Sequence, residues 1–298
     1  MKQVTIEYRR FWHTVRRQLF SPEQWEELTA RQFLAAVRLW SGTITQNDFL
    51  RQVFGFSRRE LSRMDDYQRW VLLHATDWMQ NLRRPHSSFF LECIPGSSLQ
   101  APGTRLKGCS LQQFMTVDTF FSQYTTAMST LQVKPGEVKS TQGVHENARK
   151  YMDLFIAALY KRPGETYSVE EHRITVGQGE PRLVSLDDHL PDVNKMTPEQ
   201  KQAVVLNYVL IRSWLSKSFP HLFPEPEEDD HPRPSNSPRQ PKPVNWLAVF
   251  DTFVGDNVAL MEHYKAMAAT DAFRIMNRRI RESKKRAAEE AARHSSRR

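Results

Sequence analysis

Eight of the seventeen prolines in this chain fall between residues 220 and 244: Pro220, Pro224, Pro226, Pro232, Pro234, Pro238, Pro241 and Pro243. A stretch so built can neither continue a helix nor pair as a central strand, because proline lacks the amide donor and clashes with the preceding turn. The acidic run Glu225, Glu227, Glu228, Asp229 and Asp230 lies inside it, and such a composition buries too little apolar surface to offset ordering entropy. Residues 220–244 therefore read as an acidic linker. The expected organisation is a mainly helical body with minor strands over 1–219, the linker, and a small helical module with a basic tail over 245–298.

With 298 residues, 39% of them hydrophobic, the chain can bury a substantial core. The expected fold class is mainly α, a multi-helix globular body with a few short strands. The formal net charge of +8 is concentrated at one end. Residues 273–298 hold ten Lys or Arg against Glu282, Glu289 and Glu290, which leaves the other 272 residues nearly neutral. Only the tail could therefore supply the salt-sensitive attraction of a polyanion binder. Two cysteines, Cys93 and Cys109, are too few for a disulfide-stapled secreted domain, so a reducing cytoplasm is the expected location. Lys2, Glu7, Arg9 and Arg10 interrupt the N-terminus where a signal peptide would be apolar, and no run approaches the roughly 18 apolar residues of a spanning helix. No membrane partner is expected.

Alternation over residues 3–8 predicts a strand carrying Val4, Ile6 and Tyr8, and Ser21-Pro22-Glu23 a helix start. Helical spacing of Phe33, Leu34, Val37 and Trp40 predicts a helix over about 29–40 closed by Gly42. Thr45 and Ser57 are expected caps of two short helices. A further helix over about 65–82 places Trp70, Leu73, Asp77 and Trp78 on one face. Residues 88–94, set among prolines and glycines, read as a strand with loops. Two long helices are expected over about 111–131 and 145–161. Thr197-Pro198-Glu199-Gln200 starts another, stopped at Phe219-Pro220. After the linker come short helices at 245–254 and 256–268, with Asp256 as a cap, then a last helix from about Thr270 that loses its apolar stripe after Ile280.

Chemistry is sparsely encoded. None of the ten histidines stands three or four residues from another, so no helix face offers a paired-histidine metal site, and neither metal nor cofactor is expected. His172 after Glu170-Glu171 and His189 after Asp187-Asp188 could sketch a carboxylate-rich site, although acidic residues in turn-rich segments are more often solvated surface. Cys93 and Cys109 are expected to be buried, inert thiols. Gly177-Gln178-Gly179-Glu180 precedes Pro181 with no helix to supply amide donors, and reads as a turn. With no serine elbow, phosphate-binding lysine loop or spaced carboxylate pair, the chain is expected not to be an enzyme.

Binding is the better-supported class. Trp246, Phe250 and Phe253 recur at helical spacing just past the linker, where little neighbouring chain exists to bury them. Such a face either packs on the chain's own body or receives a partner, and in the second reading these three are the candidate partner-binding residues. Arg278, Arg279, Arg281, Lys284, Lys285 and Arg286 form the second candidate surface. They suit nucleic-acid phosphates, or simply a solvated helix balanced by Glu282, Glu289 and Glu290.

Four segments carry a family resemblance: residues 25–33 (Trp25-Glu-Glu-Leu28 through Phe33), 159–164 (Leu159-Tyr160-Lys161-Arg162-Pro163-Gly164), Ile211-Arg-Ser-Trp214 through Phe223, and Trp246-Leu247-Ala248-Val249-Phe250. In their order they resemble tail-module proteins of Bacteroides-type phages and prophages. The resemblance implies a mostly helical, non-catalytic protein of the bacterial cytoplasm, similar to a tail assembly chaperone that holds apolar segments of a tape-measure protein until tail-tube subunits replace it. It assigns no residue roles, and it does not account for the basic tail. The alternative expectation is a nucleic-acid-associated accessory protein acting through that tail.

Overall fold

The computed structural model describes residues 1–10, 12–131, 141–167, 173–176, 183–224, 244–255 and 257–295. Most of the expected linker, the turn at 177–180, Asp256 and His172 with Glu170 and Glu171 lie outside them. The fold is mainly α. In chain order the elements are β1 (Lys2–Arg10), β2 (His13–Ser21), α1 (Ala30–Trp40), α2 (Gln46–Phe54), α3 (Arg58–Leu61), α4 (Asp66–His74), α5 (Leu111–Leu131) and α6 (Thr141–Leu159). They continue with β3 (Glu165–Tyr167), β4 (Arg173–Val176), β5 (Leu183–Ser185), α7 (Leu190–Val193), α8 (Pro198–Ser218), α9 (Trp246–Val254), α10 (Met261–Ala266) and α11 (Ala269–Ser295).

The caps explain why the helices begin where they do. Thr29, Ser57 and Asp65 each accept a hydrogen bond from the backbone N–H three residues on, while the side-chain oxygens of Gln32, Glu60 and Gln68 accept one from the cap residue's own backbone N–H. Thr45 caps α2 through the Asp48 N–H, and Thr197 and Gln200 form the same reciprocal pair ahead of α8. Gly55 ends α2 at a φ of 72°, a left-handed conformation costly for any residue with a Cβ.

The chain divides into two compact units, Met1–His86 with Thr197–Ser213, and Ser87–Met196 with Trp214–Arg298. This division replaces the expected one: the body over 1–219 is parts of both units, and the segment after the linker belongs to the second instead of standing alone.

The first unit opens with a two-stranded antiparallel hairpin whose register runs from Lys2 opposite Ser21 to Arg10 opposite His13. Strand β2 ends at Ser21, where a helix start was expected, and a short 3-10 turn over Trp25–Glu27 follows. Val4, Ile6, Leu19 and Ser21 share the buried face. Trp25, almost wholly buried, meets Phe33 and Trp78 edge-on at 5.9 and 5.0 Å between ring centres. Helices α1 and α2 add Val37, Phe49, Leu50 and Val53, and α8 adds Val204, Tyr208 and Ile211. The α8 segment is tied down where the Leu210 carbonyl accepts from the His86 N–H and the Ser213 hydroxyl donates to the Leu82 carbonyl. The helix expected over 65–82 instead breaks into α4 and a 3-10 turn over Asp77–Gln80. Trp70, in the middle of α4, faces solvent, stacked between Tyr67 and His74.

In the second unit, α5 and α6 lie antiparallel: the Gln113 amide, near the start of α5, donates to the carbonyls of Ala158 and Leu159 at the end of α6. Phe121 and Phe155 meet between the two helices. Strands β3, β4 and β5 form a small antiparallel sheet. The strand expected over 88–94 is only a single bridge between Cys93 and Gln100. Prolines and glycines around that segment leave its backbone groups to turns and isolated contacts.

Helices α9 and α11 complete this unit around a cluster of rings. Phe114 of α5 lies 4.7 Å from Phe273, 5.3 Å from Trp246 and 6.0 Å from Phe223. The Trp246 indole N–H donates to Asp118 Oδ2 at 2.8 Å inside the core. Main-chain bonds join Leu111 to Met267 and Ala269 to Cys109, and the Asn277 side-chain oxygen accepts from the backbone N–H groups of His221 and Leu222. Replacing Trp246 by Phe keeps a ring in the cluster but removes this donor from Asp118, with an expected loss of about 1–3 kcal/mol in urea unfolding. Trp246→Ala also opens a cavity and is expected to cost about 3–5 kcal/mol. Wild-type stability in both variants would mean that α9 does not hold the unit together.

Candidate functional site

The residues singled out in the sequence fare differently. Trp246, Phe250 and Phe253 are 4%, 3% and 4% exposed, so they are core and not the open partner surface that was one of the two expectations. The reason is local. Asn245 caps α9, and the apolar stripe turns inward onto Phe114, Phe223 and Phe273, leaving Leu247 as the exposed apolar side chain of that helix. Phe253 is further covered by Arg279, whose guanidinium lies 5.1 Å from the ring centre and donates to the Phe253 carbonyl.

Arg279 is thereby set apart from the other basic candidates. Arg278, Arg281, Lys284, Lys285 and Arg286 are exposed on α11, and Lys285 approaches Glu289 at 3.8 Å. The last buried side chain of α11 is Met276; every residue from Arg281 to His294 is exposed.

His189 does meet a carboxylate, though neither Asp187 nor Asp188. Its Nε2 lies 3.2 Å from Glu165 Oε2, and its Nδ1 lies 2.9 Å from the Ala157 carbonyl oxygen. Arg162 extends the network, its backbone N–H donating to Glu165 Oε2 at 2.6 Å and its guanidinium reaching Oε1 at 3.2 Å. Asp192 joins at the outer edge, accepting from Ser97 and Lys195. Burial pushes the Glu165 carboxyl up, but His189 and the Arg162 backbone and side chain outweigh that and hold it below the usual range. The side chains of His189 and Glu165 are both 0% exposed, so this is an ion network that joins β3 to α6 and α7, closed to substrate. The Cys109 thiol is also closed: burial, offset in part by Lys161, pushes it up to about 12. Cys93, by contrast, is exposed, contrary to the expectation of two buried thiols. Among the described residues no three His, Cys, Asp or Glu come together to hold a metal ion, and no helix is long and apolar enough to cross a membrane.

The feature that sequence reading missed is a groove in the first unit, about 660 Å³ in volume, between the end of α1, the turn at Gln80–Leu82 and the start of α8. Val37, Trp40, Leu82 and Leu206 form its apolar floor and wall, with Ser41, Gln80 and Gln202 at polar positions along it. Trp40 remains 37% exposed. The negative charge at the rim belongs to Glu199, held below the ordinary carboxylate range by its own backbone N–H and by the Thr197 hydroxyl. Trp40 and Gln80 also border a smaller cavity of about 120 Å³ against Phe49 and Leu73, so the indole stands between two hollows. Helical spacing placed Trp40 on the same stripe as Phe33 and Val37, which are buried. Its place at the last turn of α1, where the helix runs out of neighbours, is what exposes it.

Removing the Glu165 charge as Glu165→Leu leaves His189 and Arg162 against an apolar side chain, an expected loss of about 3–5 kcal/mol. Because the folded carboxyl titrates below the about 4.3 of an unfolded glutamate, its contribution is complete above that value and disappears as pH falls through the folded pKa. Unfolding measured from about pH 7 down to about pH 3 should therefore lose stability more steeply in the wild type than in Glu165→Gln. Iodoacetamide under native conditions should label Cys93 and spare Cys109, as mass spectrometry of the alkylated peptides would show. No protein-family model, curated protein or solved structure matches the chain.

Proposed function

We propose that the chain is a non-catalytic binding protein that holds an apolar segment of a partner protein in the groove walled by Val37, Trp40, Leu82 and Leu206. The observation that carries this reading is an apolar trough of about 660 Å³ with a half-open indole at its lip and hydrogen-bonding side chains along its length. An aromatic anchor in a partly desolvated hollow is where binding energy concentrates, and amide and hydroxyl groups beside it can satisfy both the donors and acceptors of a peptide backbone. The Glu199 carboxylate at the rim favours a segment that carries a cation next to its apolar stretch. The resemblance to phage tail modules makes a tape-measure segment the natural client and an assembly chaperone the natural role.

The test uses the full chain co-expressed with a tape-measure protein, and synthetic peptides spanning that protein's apolar stretches. Trp40→Ala and Leu206→Asp should each weaken peptide binding at least about tenfold while the fold, followed by circular dichroism, is kept. Binding that is equally tight in both variants, or absent for every apolar peptide, would overturn the reading.

A further inference from the structure

Helix α11 packs on its own unit through Met276, Asn277 and Arg279, and every residue from Arg281 to His294 is exposed. A helical stretch of this length has little stability of its own in water, since nucleation is costly and each residue must be held by packing or a partner. The cations it presents there are Arg278, Arg281, Lys284, Lys285 and Arg286, interspersed with Glu282, Glu289 and Glu290, of which Glu289 lies 3.8 Å from Lys285. At 3.6 residues per turn, Arg278, Arg281 and Lys285 fall along one ridge, while Lys284 and Arg286 lie about 160° apart on its two flanks.

We infer that this stretch of α11 binds the major groove of double-stranded nucleic acid without base specificity, its five cations, spread over about 200° of the helix surface, reaching phosphates of both groove walls. Charge on both flanks decides between polyanions. A flat anionic surface is met from one side only, whereas a groove about 12 Å wide encloses a helix about 10–12 Å across and places phosphate on each side of it. A membrane surface would also need an apolar face opposite the charges. Between the flanks on the far side stand Ser283, Ala287 and a half-buried Ile280, too little apolar surface for that. Arg279 does not take part, because Phe253 holds it. Contacts of this kind read shape and charge, so affinity follows the number of phosphates neutralised and not the sequence.

The experiment is fluorescence anisotropy of the full chain with a labelled duplex of mixed sequence at increasing salt. Four to five phosphate contacts imply that the logarithm of the association constant falls with the logarithm of salt at a slope of about −4. The variant Arg278→Glu/Arg281→Glu/Lys285→Glu should lose at least about tenfold in affinity and reduce the slope by about 3, and Lys284→Glu/Arg286→Glu should reduce it by about 2. All five positions are exposed, so circular dichroism should report both variants as folded. Wild-type affinity in the ridge variant, or no binding at about 50 mM salt, would overturn the inference. So would equal affinity for polyglutamate or for phosphatidylserine vesicles, since neither has two walls. Trp40→Ala should leave duplex binding unchanged, which separates failure of this inference from failure of the groove.

Discussion

The second unit depends on one buried hydrogen bond, from the Trp246 indole to the Asp118 carboxylate. A carboxylate on the inner side of a long helix is costly unless something donates to it, and an indole N–H in a core needs an acceptor for the same reason. Each residue solves the other's difficulty. Because they stand on α5 and α9, far apart in sequence, the solution also fixes where α9 must lie. Once Trp246 is placed, Phe114, Phe223 and Phe273 close around it edge-on, and α11 follows through Phe273 and Met276.

That bond explains which parts of the structure could be read in advance. Caps and stops are local chemistry, and Thr29, Thr45, Ser57 and Thr197 mark helix starts that need no knowledge of distant chain. Strand β2 was hidden because its inward positions include Arg17 beside Val15 and Leu19, which breaks the apolar alternation. The fold accommodates Arg17 by an ion pair with Glu60 at 2.8 Å and by laying its guanidinium over Phe56. Neither partner is visible from the strand itself. The stripe of Trp246, Phe250 and Phe253 was legible as an apolar face, but whether that face was open or covered turned on Asp118, a hundred and twenty-eight residues away.

The two candidate surfaces differ in the same way. The basic ridge of α11 was written in consecutive residues and needed the structure only to show where packing ends. The groove was not written anywhere: Trp40, Leu82 and Leu206 come from three separated segments, and each alone looks like ordinary core. His189 lies between these cases, since a carboxylate-rich site was one reading beside solvated surface, and the carboxylate the fold supplies is Glu165, upstream on β3.

Phe223, near the start of the proline-rich segment, and Trp246, just past its end, have rings 5.8 Å apart. The residues on either side of its undescribed stretch are thus held in a single core. The segment's closure entropy grows only by about 0.6 kcal/mol for each doubling of length, which frees its composition and length to drift with little penalty. A protease that cut within it would release nothing: the two polypeptides would remain one particle, joined through interlocked aromatic rings.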